Sequence, residues 1–139
     1  MRFFLDNCIS VAMARAIAEL AQAQGIEVIH LSQKFERNTR DVDWIRQLHE
    51  DHEDEEDDWI IVSGDTRISR SKAERATWHE SRLTAFFLDN GWSSKKFWVQ
   101  AAELVRWWPL ILETSRKCSP GSGFLLPFKG STPKQIYNP

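Results

Sequence analysis

The chain has 139 residues, 42% hydrophobic and 27% charged, with a net charge of −2. That size suits one domain with its own core, and that balance excludes a disordered chain. No apolar run nears the roughly 20 residues that span a bilayer, and Cys8 and Cys118 cannot build a disulfide framework or a CxxC metal pair.

Phe3, Phe4 and Leu5 make a short apolar run that ends at Asp6-Asn7, the pattern of a buried strand over residues 2–5. Ser10 is placed to cap an alanine-rich helix from Val11 to Ala21, and Gly25 supplies its stop. Val28 to Leu31 reads as a second strand, which completes a strand–helix–strand unit. Thr39 or Asp41 then caps a helix carrying Val42, Trp44, Ile45 and Leu48. Residues 50–58 hold eight acids in nine positions, which reads as a solvated patch extending that helix into a loop. Trp59 to Val62 is the cleanest strand and runs into Ser63-Gly64-Asp65. A polar helix over about 71–82 and a strand over 83–88 follow. Ser93 or Ser94 caps a longer helix with Phe97, Ala101, Leu104 and Trp108 at helical spacing, which Pro109 should end or kink. The tail from Ser119 is rich in Gly and Pro and holds one short strand at Phe124 to Leu126.

Apolar strands alternating with helices predict an α/β fold: three α/β/α layers around a parallel sheet of four to five strands. One domain is expected over 1–139, with its core within 1–115 and an irregular tail over 116–139. In such sheets ligands bind beyond the carboxyl ends of the strands. Asp6 and Asp65 both stand directly after an apolar strand, and Asp41 and Asp43 stand at the head of the second helix. Taken singly, a strand-terminal Asp is a turn or capping residue. Several converging carboxylates repel one another unless a cation lies between them. Oxygen-only ligands favour Mg²⁺ or Mn²⁺, and such a site can neutralise a phosphodiester under in-line attack. Asn7 and Ser63 flank the acids and could orient them, while Thr66, Arg67 and Arg70 follow Asp65 as candidate phosphate contacts.

The charge distribution agrees. Residues 1–58 hold 6 basic and 14 acidic residues, and residues 59–139 hold 12 and 6. An acidic front and a basic back suit a cation held beside a polyanion, although the two halves could simply neutralise each other. The four histidines show no zinc spacing, and no glycine-rich nucleotide loop is present. Cys8 is expected as a small buried side chain. Trp92, Trp98, Trp107 and Trp108 crowd a basic region, which could stack on bases; a core-facing Trp98–Trp108 side with a partner surface is the favoured reading. An acid follows the first strand where an export signal needs apolar residues, so a cytoplasmic location and no membrane partner are expected.

The segments Phe3 to Asn7, Thr39 to Ile45 and Trp59 to Arg67 resemble those of PIN-like domains, and the chain is closest to the compact branch grouped with VapC-type toxin ribonucleases. The resemblance extends over the 83–88 strand and the helix around Phe97 to Pro109, to about residue 113. It implies a parallel sheet flanked by helices and a ribonuclease site dependent on Mg²⁺ or Mn²⁺. Asp6, Asp41 and Asp65 match the family acids, with Asp43 adjacent. The chain departs from the longer family pattern at Thr66-Arg67, where a further acid is absent. The resemblance also implies an antitoxin partner and dimer formation. A non-catalytic interaction module on the same fold is the alternative. A phosphatase with an Asp nucleophile would need an acid two residues on, where Cys8 and Arg67 stand.

Overall fold

Every expected strand forms, because each one alternates its apolar side chains between two faces that are both covered. A computed structural model describes residues 1–51, 58–64 and 72–139. The elements are β1 (Arg2–Leu5), α1 (Val11–Gln22), β2 (Glu27–His30), α2 (Asp41–Glu50), β3 (Trp59–Ser63), α3 (Lys72–Ser81), β4 (Ala85–Leu88), α4 (Asn90–Ser93), α5 (Phe97–Lys117), β5 (Gly123–Leu126) and β6 (Lys134–Tyr137). They form one mixed sheet in the order β2-β1-β3-β4-β5-β6. The first five strands are parallel and β6 is antiparallel to β5. The expected sheet of four to five strands is therefore six strands wide, and the tail expected to be irregular supplies two of them.

Phe3, Leu5, Val62, Phe86 and Leu126 pack with Met13, Ile17, Leu104 and Trp108 on one face of the sheet. Phe4, Ile61, Ala85 and Phe87 pack with Trp44, Leu48 and Trp78 on the other. Neighbouring strand residues thus serve opposite cores, and each fully buried Phe or Leu adds about 1.5–3 kcal/mol. Ring contacts tie helices to strands: Phe3 to Trp108 at 4.9 Å, Phe4 to Trp44 at 5.0 Å and Trp78 to Phe87 at 5.5 Å.

Ser10 caps α1 as expected, accepting from the Met13 N–H at 3.3 Å. Other local expectations fail for identifiable reasons. Neither Thr39 nor Asp41 caps α2; Arg40 holds the cap position and Asp41 is the first helical residue. Neither Ser93 nor Ser94 caps α5, because Asp89 caps the short α4 that intervenes and Lys96 precedes α5. Pro109 does not end α5, which continues to Lys117. Pro109 and Val105, whose carbonyl it leaves without an N–H, are both exposed, so water can replace the lost bond. Trp107, Trp108, Ile111 and Leu112 are buried on both sides of the break and hold the helix down. Trp98 does not share the core with Trp108: it is 81% exposed. Ten residues turn a helix to about 80° off its starting face, so the two rings cannot point the same way. Among the described residues, no helix is long and apolar enough to cross a membrane.

Candidate active site

β1 and β3 are direct neighbours, with Leu5 opposite Val62. Asp6 follows Leu5 and donates its N–H to the Val62 carbonyl at 3.2 Å, which carries its side chain to the end of β3. There Ser63 donates its hydroxyl to Asp6 Oδ2. The N–H groups of Gly64 and Cys8 donate to Oδ1 at 3.2 and 3.1 Å. The Cys8 contact is the local turn that Asp side chains make with the amide two residues on. Gly64 lets the two loops approach closely, because a Cβ on it would lie 2.6 Å from the Cys8 Cβ. Cys8, expected to be buried, is exposed on this turn, and neither cysteine forms a disulfide.

Asp6 is buried, and burial pushes its carboxyl up to about 6 from an ordinary 3.8. The three donors pull it back down, and the Asp41 carboxylate pushes it up again. Asp41 stands at the head of α2, where it accepts from the Trp44 indole N–H at 2.9 Å. Asp43 instead pairs with Arg40 at 3.0 Å. Of the two acids that open α2, Asp41 acts on Asp6 and Asp43 is engaged by its neighbour.

Asn7 donates to the Arg37 carbonyl at 2.7 Å and ties the loop after β1 to the segment before α2. His30, buried at the end of β2, fixes the same loop. Its Nδ1 accepts from the Ser32 N–H at 3.1 Å, so Nε2 carries the proton and donates to the Ile9 carbonyl at 2.8 Å. A cleft of about 470 Å³ opens beside this loop, lined by Asn7, Ser10, His30 and Arg37. The amides of Cys8 and Gly64 and the His30 ring were not among the expected site residues. Backbone donors leave no mark in residue type, and the Asp6-Asn7 turn pair was the one available signal.

Asp65, Thr66, Arg67 and Arg70 lie outside the described residues, as does most of the acidic run, residues 52–57. Asp65 follows Gly64 directly in the chain. Among the described residues, no three Asp, Glu, His or Cys side chains could hold a metal ion. Asp6 and Asp41, which interact electrostatically, are two carboxylates that could serve as oxygen ligands. The donor chemistry fits a hard divalent cation, since it is all oxygen and a buried carboxyl with a like charge beside it gains most from one.

Residues 1–90 match the sequence profile of a family described as a PIN like domain. The chain belongs to the PIN-like domain family. No curated protein and no solved structure matches it. A PIN-like domain is a nuclease-type fold, and PIN domains typically use divalent metals. The matched part of this PIN-like chain spans β1 to β4 and contains Asp6, Asp41, Asp43, Ser63 and Asp65, whereas α5, β5 and β6 lie beyond it.

Proposed function

We propose that this PIN-like chain is an endoribonuclease dependent on Mg²⁺ or Mn²⁺, and the toxin of a type II toxin–antitoxin pair. One observation carries the reading: the Asp6 carboxyl stands at a strand end, held by three donors, and is pushed up by burial, with a smaller push from Asp41. Family membership supports nuclease chemistry. The resemblance to VapC-type toxin ribonucleases supports RNA as substrate, an antitoxin as partner and a dimer as the working unit.

Asp6, Asp41 and Asp65 would hold the ion, with Asp43 beside them. When bound, the ion would supply charge neutralisation at the phosphate and an activated water. Ser63, Gly64 and Cys8 fix the Asp6 carboxylate, while Asn7 and His30 fix its loop, so little rearrangement accompanies the reaction. Thr66, Arg67 and Arg70 would meet the phosphate.

The deciding experiment incubates single-stranded RNA with the chain and Mg²⁺ or Mn²⁺, beside Asp6→Asn. Cleavage should vanish in the variant and, in the wild type, on adding EDTA, with the circular dichroism spectrum unchanged. Undiminished cleavage by Asp6→Asn at equal folded concentration removes the assignment.

One observation favours a second reading, a non-catalytic interaction module. Trp98, Ala102, Val105 and Pro109 are all exposed and recur at helical spacing, an apolar outward stripe on α5. A module would show no Mg²⁺ or Mn²⁺ binding by calorimetry that is lost on Asp65→Asn.

A further inference from the structure

We infer that the groove between α3 and β6 carries the phosphates of single-stranded RNA leaving the cleaved bond; this rests on the ribonuclease reading above.

The groove exists because the sheet is wider than the helices that cover it. On the face of Phe4, Ile61 and Phe87 the core is closed by α2 and α3. Past α3, Leu125 of β5 and Tyr137 of β6 are only partly buried. The opening measures about 370 Å³ and is lined by Lys72, Arg75, Ala76, His79 and Tyr137. No acidic side chain lines it among the described residues.

Its wall is one stripe of a helix. Lys72, Arg75 and His79 are spaced i, i+3, i+7, so they stack along one face of α3, and all three are exposed. Its direction follows from the topology. β3 ends at the rim that holds Asp6, and α3 leads back from it to the start of β4. Lys72 therefore stands at the rim end and His79 about 10 Å further down. β6 runs antiparallel to β5 with Lys134 opposite Leu125, which sets a second ammonium group near the rim end of the groove. A strand leaving the rim meets cations along this path. Towards the carboxyl end of α2 it would meet Glu50 and Asp51 instead.

The floor is aromatic. The Tyr137 ring lies over Gly123, where any Cβ would collide with it, and 6.4 Å from Phe87. Its hydroxyl is buried without a hydrogen-bond partner among the described residues. A cationic wall beside an aromatic floor meets the two needs of a single strand, neutralised phosphates and a surface for bases.

The test measures binding of a fluorescent single-stranded RNA of about 12 nucleotides by anisotropy, across a salt series with EDTA present to prevent turnover. The Lys72→Gln/Arg75→Gln double variant should bind more weakly. Its slope of log affinity against log salt should be shallower by about 1.4, the value for two lost phosphate contacts. Arg116→Gln/Lys117→Gln, an equal charge loss at the far end of α5, should leave the slope as it is. An unchanged slope in the first variant, an equal change in both, or no RNA binding by the wild type overturns the groove. RNA cleavage by the wild type with an unchanged slope removes the groove and keeps the ribonuclease. A shallower slope confined to the first variant, in a chain that cleaves nothing, keeps the groove and removes the ribonuclease.

Discussion

Ser63 hydrogen-bonds Asp6 from the neighbouring strand, 57 positions along the chain. The bond joins the ends of β1 and β3 around a carboxyl that burial drives up to about 6 from 3.8. Such a carboxyl keeps its proton longer in the folded state than in the unfolded one, so stability falls as pH rises between those values. Below about pH 4 both states are protonated and nothing is lost; above about pH 6 the loss is complete, on the order of 3 kcal/mol. Asp6→Asn removes the ionisation. Its unfolding temperature should match the wild type below pH 4, exceed it increasingly up to pH 6, and hold a constant lead beyond. A lead that does not vary with pH would show that Asp6 titrates normally.

The geometry around Asp6 was legible because its signals are local. An apolar run closed by Asp marks Asp6, and the parallel register then puts Val62 and Ser63 beside it. Asp41 was legible as the head of α2, but its separation from Asp43 was not. That depends on Arg40, which takes Asp43. Trp98 misled because four tryptophans in one region suggest one cluster, while helical rotation separates them. β6 was missed for a different reason. Lys134, Gln135 and Ile136 are exposed on an edge strand, so no alternation of apolar and polar residues announces them. Its register comes from β5, and the room for it comes from Gly123, neither of which a local pattern contains.

Gly64 offers a test of how tightly the two rim loops must close. A methyl group there meets the Cys8 Cβ at 2.6 Å, and neither atom belongs to a flexible chain end. Gly64→Ala should push the loops apart, lengthen the Gly64 N–H contact to Asp6 and leave part of that carboxyl without a donor. The expected cost is about 1–3 kcal/mol in urea unfolding. The double variant Gly64→Ala/Cys8→Gly removes the colliding Cβ and should recover most of that loss. A single variant as stable as the wild type would show that the loops separate freely.

Tyr137 tests the groove floor without reference to RNA. Its hydroxyl is buried with no hydrogen-bond partner among the described residues, and burial drives it well above the usual phenol range while Arg75 pulls the other way. An unpartnered buried hydroxyl costs about 1–3 kcal/mol, and removing it keeps the ring on Gly123 and Phe87. Tyr137→Phe should therefore unfold at a higher urea concentration, with an unchanged slope. Tyr137→Ala should lose stability by about 3 kcal/mol or more, because it strips the floor from β5 and Phe87. A Tyr137→Phe chain less stable than the wild type would mean that the hydroxyl has a partner, and the floor would then be held by a polar contact as well as by the ring.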